Sequence, residues 1–141
     1  MRHKAWAVLT LGLLIAAPAV AHAQDSTAVS PVQLDRNYPN PFNPETTIPF
    51  RLDQSLWGGG AQPVVSLRIY NILAQLVAVP ILQGSGEDLV NLRLAWNGTG
   101  DYAAYWDGKI LETGREAASG VYVYQLTVNG QTFTKKMTIV K

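Results

Sequence analysis

Cysteine is absent from the 141-residue chain, and its only two histidines, His3 and His22, lie near the N-terminus. We expect both to leave with a secretory leader, so that the exported chain has neither residue type. Nucleophilic triads, thiol catalysis and metal sites with His or Cys ligands are thereby excluded from it. No disulfide can cross-link the fold, but a mature chain of roughly 118 residues can bury enough surface without one.

Charge of either sign is also scarce, since Asp, Glu, Lys and Arg make up 15% of the residues. Loss of Arg2 and Lys4 with the leader lowers the Lys and Arg count from 11 to 9, whereas Asp and Glu stay at 10. The mature chain then has a net charge of about −1. This gives no basis for attraction to nucleic acid or to an anionic membrane.

Residues 1–23 have the pattern of a signal peptide. Two basic residues precede an apolar stretch from Trp6 to Ala17, Pro18 ends that stretch, and Ala21-His22-Ala23 fits the cleavage pattern. Cleavage after Ala23 predicts export to the periplasm and then to the cell surface or beyond, with membrane contact only through the leader. The alternative, a permanent anchor, is disfavoured because the stretch is shorter than the ~20 residues of a membrane span. No cysteine follows the cleavage site, which excludes a lipid anchor there.

After a flexible lead-in, residues 24–33, the remaining residues 34–141 indicate one all-β domain. No helical period is evident, and short runs of alternating apolar residues recur between Gly, Pro and Asn turns. We expect seven or eight short strands in an antiparallel β-sandwich. Pro49 predicts an edge position for its strand. The strand candidates before the final hairpin are Thr46–Leu52, Val64–Tyr70, Leu76–Leu82, Leu89–Trp96 (with Val90, Leu92, Leu94 and Trp96 on one face) and Tyr102–Trp106.

Asn129-Gly130 predicts a two-residue type I′ turn between the last two strands. That turn sets Leu126 opposite Phe133, and in the same register Tyr124 faces Lys135 and Tyr122 faces Met137. Phe133 then faces the core and Lys136 faces water. A slip of one residue would reverse the two faces, so the register should be firmly held.

The segment Asn37-Tyr38-Pro39-Asn40-Pro41-Phe42-Asn43-Pro44 is the most distinctive motif. Its prolines exclude a helix or a central strand. We expect a stiff, extended conformation close to polyproline II, in which Asn37, Asn40 and Asn43 share one edge.

Trp106-Asp107-Gly108 predicts a second structural anchor, a strand that ends in a buried Trp before a tight turn. Trp96-Asn97-Gly98 repeats the pattern and suggests a hairpin of two Trp-ended strands.

Trp57, beside Gly58-Gly59-Gly60, is either an exposed contact residue or, as we favour, a lid on the core.

Together these features resemble the C-terminal sorting domain of the type IX secretion system, and equally the immunoglobulin-like domain of the flagellar hook-capping protein. The resemblance covers Leu34 to Lys141. It implies an immunoglobulin-like sandwich, which an outer-membrane translocon recognises after periplasmic export, often with removal of the domain and surface attachment of a cargo. The motifs that carry it are Tyr38 to Ile48, Leu67 to Leu73, Trp106-Asp107-Gly108, Ser119-Gly120-Val121-Tyr122 and Lys135-Lys136-Met137.

The chain departs from the family pattern in two ways. Ala74 stands where the family has Gly, which predicts a remodelled turn because Ala disfavours positive φ. The stretch from Gln83 to Tyr105 is longer than the family pattern. Sorting domains of this family normally follow a cargo, so we expect either that the domain itself is what is exported or that the sequence is a truncated or split piece of a larger protein.

The lysines near the C-terminus admit two interpretations. Lys135, Lys136 and Lys141 either protect an edge strand from aggregation or form part of a surface that a translocon recognises. Lys135 beside Tyr124 is more simply a lysine that extends over an aromatic ring.

Other chemistry is weakly indicated. Asp101, Asp107, Glu112 and Glu116 could offer oxygen ligands to calcium, but their spacing matches no EF-hand loop, and turn residues explain them better. Nothing suggests that these carboxylates form a glycosidase pair in a cleft. We therefore expect no enzyme activity, cofactor or small-molecule substrate, but a protein partner.

Two hypotheses follow. The first is a non-catalytic sorting module for an outer-membrane translocon. The second is a stand-alone structural or adhesive immunoglobulin-like component of the envelope or the extracellular surface.

Overall fold

A computed structural model describes residues 29–141, which form two packed antiparallel β-sheets. Sheet A has the strand order β1-β2-β7-β5; sheet B has the order β4-β3-β8-β9, with β6 also paired to β3. The predicted all-β sandwich is confirmed, and the predicted signal peptide lies outside the described residues. The elements are β1 (Val32–Leu34), β2 (Thr46–Leu52), a 3₁₀ helix (Gln54–Gly60), β3 (Val64–Asn71), β4 (Leu76–Ala78), β5 (Ile81–Leu82), β6 (Leu92–Arg93), β7 (Asp101–Trp106), β8 (Gly120–Val128) and β9 (Gln131–Ile139).

This strand order is that of an immunoglobulin domain. In sheet A the strands correspond to A, B, E and D, and in sheet B to C′, C, F and G. Tyr122 near the start of β8 donates its hydroxyl hydrogen to the Ala118 carbonyl at 2.8 Å, as the tyrosine corner of such domains does.

The described residues form nine strands rather than seven or eight, because several short pairings add to the expected ones. The first strand begins at Val32, two residues before the expected domain start.

The core follows from the two-residue period of the long strands. Inward positions alternate with outward ones along β2, β3 and β8, and in β3 the outward-facing Ser66 is buried as well. The largest fully buried side chains come from both sheets and from the loops between them: Tyr124, Phe42, Phe50, Ile48, Leu52, Leu67, Ile69, Leu89, Leu126 and Met137.

The terminal hairpin has the predicted register. Leu126 lies opposite Phe133, and the pairs of Tyr124 with Lys135 and Tyr122 with Met137 follow. Both turn residues have positive φ, 49° at Asn129 and 85° at Gly130, as a type I′ turn requires. The Asn129 side chain also accepts a hydrogen bond from the Val64 amide at 2.9 Å, which ties the turn to β3.

The stretch Leu76–Leu82, expected as one strand, is divided between the sheets. β4 pairs with β3 in sheet B, whereas β5 pairs with β7 in sheet A. Pro80 lies between them and has no amide hydrogen to continue a ladder. The chain therefore changes sheets at this point.

The expected strand Leu89–Trp96 is wrong in its extent and in its inward face. Leu89 and Leu94 are buried, whereas Val90 is 50% exposed. Asn91 has a φ of 46°, which breaks the alternation that the prediction assumed. The remaining strand, β6, pairs with β3 and not with β7, so the expected hairpin of two Trp-ended strands does not form.

Trp57 covers one end of the core, as we expected of a lid. Its indole nitrogen donates to the Leu94 carbonyl at 2.8 Å, and its ring stacks on Tyr102 and meets Trp96 edge-on. The aromatic cluster packs against the buried core, so Trp57 is a packing residue.

Pro49 does not mark an edge strand, because β2 pairs with β1 on one side and with β7 on the other. Its carbonyl accepts a hydrogen bond from the Asp35 amide at 3.0 Å, so its backbone faces β1. At position 49, a residue with an amide hydrogen would donate a hydrogen bond to the Asp35 carbonyl. The hydroxyl of Tyr124, on β8 of the other sheet, donates to that carbonyl instead, at 2.7 Å. The proline is tolerated because a side chain supplies the donor that it lacks.

Tyr124 thus joins the two sheets by a buried polar contact. Its hydroxyl also accepts a hydrogen bond from the Asn37 amide at 3.2 Å. Burial raises the pKa of Tyr124, and the Asn37 bond opposes that shift in part. Burial likewise raises the pKa of Tyr102 and Tyr122.

Ala74 adopts the left-handed conformation with a φ of 59°, at the turn between β3 and β4. The expectation of a remodelled turn is therefore wrong: alanine accepts the conformation that glycine would take. Asn71 stabilises the turn, since its side-chain oxygen accepts from the amides of Leu73 and Gln75, both at 3.0 Å.

Replacing Tyr124 by phenylalanine should lower the free energy of unfolding by about 1–3 kcal/mol, because a partly buried carbonyl and a buried amide lose their partner. Tyr38→Phe is the control, since Tyr38 is exposed. Urea denaturation measures both, and equal stability of Tyr124→Phe and wild type would contradict the role assigned to the hydroxyl.

The same variant should change the pH dependence of stability. A phenol whose pKa is raised by folding stabilises the protein fully below its unfolded pKa of about 10, and that contribution is lost as pH rises through the folded pKa. We expect the wild type to lose stability above about pH 10 and the Tyr124→Phe variant to lose less. Denaturation at a series of alkaline pH values measures the difference; parallel losses would argue against it.

Ala74→Gly should stabilise the domain by about 0.5–1 kcal/mol, because glycine adopts positive φ without the steric cost that alanine has. Ala61→Gly is the matched control: Ala61 is also exposed but has a φ of −67°, so glycine there should destabilise by about 0.4–1 kcal/mol. Thermal unfolding should shift in opposite directions for the two variants.

Candidate functional site

The segment Asn37–Pro44, which we call the proline–asparagine segment, is bent rather than extended. The peptide bonds before Pro39, Pro41 and Pro44 are all cis, and bends occur on both sides of Phe42. Asn37 is buried at 3% exposure, whereas Asn40 and Asn43 are exposed. The expected polyproline II conformation, with three asparagines on one edge, is therefore wrong.

The segment bends because it pairs with both sheets in turn. Near its start, Tyr38 and Thr47 of β2 exchange two backbone hydrogen bonds of 2.9 Å each. Near its middle, the Phe42 amide donates to the Thr138 carbonyl at 3.0 Å, and the Val140 amide donates to the Phe42 carbonyl at 3.1 Å. The segment therefore crosses from sheet A to the outer edge of β9 in sheet B.

Asn37 and Asn40 have different tasks in this crossing. The Asn37 amide nitrogen Nδ2 donates to Thr46 Oγ1 at 3.0 Å and to the Pro39 carbonyl at 3.3 Å, which closes the loop onto β2. The Asn40 side-chain oxygen accepts from the Thr138 amide at 3.2 Å. Asn37 thus shapes the loop from inside, and Asn40 attaches the loop to the terminal strand.

Phe42 inserts its ring into the core beside Trp106. The two rings meet edge-on with centroids 5.6 Å apart, and Trp106 meets Tyr122 in the same manner at 5.9 Å. The Trp106 indole nitrogen donates to the Lys109 carbonyl at 3.0 Å, and Asp107 accepts from the Lys109 amide at 3.0 Å. The Trp-Asp-Gly turn and the proline–asparagine segment therefore share one aromatic cluster.

Gly108 touches the proline–asparagine segment directly. It has a φ of +80°, and a Cβ atom there would lie 2.0 Å from the Pro44 carbonyl oxygen. Glycine is required at this position both by its backbone conformation and by the close approach of Pro44. Two motifs that lie far apart in the sequence are in contact in the fold.

Two of the C-terminal lysines, Lys135 and Lys136, lie in β9, and Lys141 follows its end. Lys136 is exposed, and Lys135 is half-buried and paired with Tyr124 across the hairpin. Lys141 Nζ lies 3.5 Å from Glu116 Oε2, so it faces a different part of the surface. The structure thus groups Lys135 and Lys136 with Asn40 in one shallow groove and separates Lys141 from them.

Three of the four carboxylates considered as calcium ligands have other partners. Asp101 forms an exposed ion pair with Arg51 at 2.7 Å, Asp107 accepts from its own turn, and Glu116 faces Lys141. Within residues 29–141, no group of three or more His, Cys, Asp or Glu side chains is placed to hold a metal ion. In the same residues, no helix has the length and apolar character to cross a membrane.

Sequence reasoning missed Tyr124 and Arg36. The sequence predicted only that Tyr124 faces Lys135 in the terminal hairpin, whereas its hydroxyl fixes the start of the proline–asparagine segment. Arg36 lines the groove beside Lys135 and Lys136. Its position directly before the motif was the only available signal.

No protein-family model and no curated relative matches the chain. Among solved structures, the chain is similar to PorZ of Porphyromonas gingivalis, described as an essential bacterial surface component of the type IX secretion system. The two share 16% sequence identity with a TM-score of 0.44, over 75% of this chain and 11% of PorZ. The chain therefore spans only a small part of PorZ.

Gly108→Ala should destabilise the domain by at least about 2 kcal/mol, because positive φ and a backbone clash with Pro44 both oppose a side chain. Gly60→Ala is the matched control: Gly60 has a φ of +79°, and no atom lies within 4 Å of where its Cβ would be placed. That variant should lose only about 1 kcal/mol. Chemical denaturation of the two variants measures how much the Pro44 contact contributes to the free energy of unfolding. Equal losses of stability in the two variants would show that this contribution is negligible.

Proposed function

We propose that this chain is an exported, non-catalytic recognition module of the type IX sorting kind, which an outer-membrane secretion translocon binds after the chain enters the periplasm. The observation that supports this most directly is that two of the motifs that carry the family resemblance are in contact in the fold. The proline–asparagine segment and the terminal strand lie about a hundred residues apart in sequence, yet Asn40 and Phe42 bind Thr138 and Val140.

The chemistry of the surface also favours recognition over catalysis. Lys135 and Lys136 lie beside Asn40 in a groove open to solvent, and the groove contains no carboxylate. A surface of this kind can bind a polypeptide through charge and backbone contacts, whereas hydrolysis would need converging acids or a nucleophile. The proposed partner is therefore a protein of the secretion machinery or the envelope, and the proposed location is the periplasm and then the surface.

A structural or adhesive role is the second candidate. Ile72 and Leu73 at the tip of the turn between β3 and β4 are 75% and 73% exposed. Apolar side chains at a loop tip could contact another surface protein without any role in transport. This candidate predicts that the tip matters and that the C-terminal lysines do not.

A reporter fusion tests the proposal. Residues 29–141, which include β1 and the whole sandwich, are fused behind a periplasmic reporter in a host with a working type IX system. We expect the reporter to reach the cell surface or the medium. A folded fusion that stays in the periplasm would overturn the sorting proposal and favour the structural one.

Matched variants make the fusion assay specific. Deletion of β9 would remove Met137 and Ile139 from the core, so a loss of transport could simply reflect unfolding. The double variant Lys135→Gln, Lys136→Gln leaves the core intact and should reduce transport several-fold, whereas Ile72→Ser with Leu73→Ser should not. The reverse pattern would support the second candidate.

A further inference from the structure

The terminal strand β9 is an edge strand that is covered along only part of its length. Its inner side pairs with β8 from Gln131 to Ile139. On its outer side, Thr138 is fully occupied: its carbonyl accepts from Phe42 and its amide donates to Asn40. Val140 also donates to Phe42. The cover by the proline–asparagine segment therefore reaches Thr138 and goes no further towards the turn.

The turn determines which backbone groups remain open. A two-residue turn makes Val128 and Gln131 a hydrogen-bonded pair, so odd-numbered residues of β9 bond to β8 and even-numbered ones point away. The outward bonds of Thr138 agree with this alternation. Thr132, Thr134 and Lys136 therefore present their amides and carbonyls outward. Within residues 29–141, no hydrogen bond of the structure reaches these groups.

Cations surround this open stretch. A groove of about 430 Å³ runs beside it, lined by Arg36, Asn40, Thr134, Lys135 and Lys136. The nearby Asp35 carboxylate accepts a hydrogen bond from the Gln33 side chain at 2.8 Å and is not among the lining groups. Three positive side chains and three free backbone positions thus occupy one edge.

We infer that β9 between Thr132 and Lys136 binds an extended, acidic segment of a partner protein as an additional strand. Backbone bonds to the three outward residues supply affinity, and Arg36, Lys135 and Lys136 select acidic side chains. This inference rests on the proposed function and deepens it, since it names the chemistry of the partner at that surface.

A second copy of this chain is a poorer occupant of the same edge. Pairing two β9 strands would bring Lys135 and Lys136 of one copy towards the same lysines of the other, and like charges across a strand pair are unfavourable. The lysines therefore oppose self-association, while an acidic strand turns the same charges into attraction.

Backbone amide NMR of the chain, purified after export, tests the inference. The probe is a short capped peptide of alternating Glu and Thr, and the control is the same peptide with Gln in place of Glu. We expect the acidic peptide to slow hydrogen exchange at Thr132, Thr134 and Lys136, and to leave Phe133 and Lys135, already bonded to β8, unchanged. The Gln peptide should bind at least about fivefold more weakly.

Two variants separate the backbone contribution from the charge contribution. Thr134→Pro removes an outward amide and no bond to β8, so it should abolish binding of the acidic peptide. Lys136→Glu should weaken binding by about fivefold or more, whereas Arg93→Glu, the same charge change on β6 at the opposite side of the sheet, should change it less than about twofold. If Thr134→Pro does not fold, Lys136→Glu and Arg93→Glu still decide the charge contribution.

The inference is overturned by an absence of binding, by equal binding of the Glu and Gln peptides, by protection at other residues, or by dimerisation of the chain through β9. These outcomes are independent of the reporter assay. A fusion that is exported although the acidic peptide does not bind would leave the sorting proposal intact and refute this inference alone.

Discussion

The hydroxyl of Tyr124 is the contact on which the arrangement of the described residues depends. Pro49 leaves the Asp35 carbonyl without its usual strand partner, and Tyr124 reaches across the sandwich to donate to it. The same oxygen accepts from the Asn37 amide, so the chain leaving β1 is fixed at two successive points. That fixed start directs the proline–asparagine segment across to the edge of sheet B. A missing backbone donor in one sheet is thus satisfied by a side chain of the other.

At its other end the segment is held by packing as well as by the backbone hydrogen bonds of Phe42 to Thr138 and Val140. Phe42 enters the core against Trp106, and the Pro44 carbonyl lies so close to Gly108 that no side chain fits between them. These contacts explain why a proline-rich stretch on the outside of a sandwich has a defined course. They also explain why Trp106-Asp107-Gly108 and the proline–asparagine segment occur together in one chain, since each forms part of the other's environment.

Sequence patterns predicted the parts of the fold that local chemistry determines. Asn129-Gly130 predicted the hairpin register, because a two-residue turn leaves one alignment in which Phe133 and Met137 face the core. The errors have non-local causes. Pro49 was assigned to an edge because the Tyr124 donor comes from another sheet, and the inward face of Leu89–Trp96 was wrong because Asn91 takes positive φ beside Ser66. The bent course of the proline–asparagine segment could not be predicted, since its hydrogen-bond partners on β2 and β9 lie elsewhere in the chain.

Sequence also left two interpretations of the terminal lysines, protection of an edge and recognition of a partner, and the position of Lys135 and Lys136 on β9 is compatible with both. The proline–asparagine segment covers β9 as far as Thr138, and the positive side chains lie where that cover ends. An uncovered edge invites pairing with any strand, and lysines discourage pairing with another copy of the same sequence. They impose no such cost on an acidic strand. A charge that protects the free protein from its own copies can therefore also select a partner, provided that the partner carries the opposite charge.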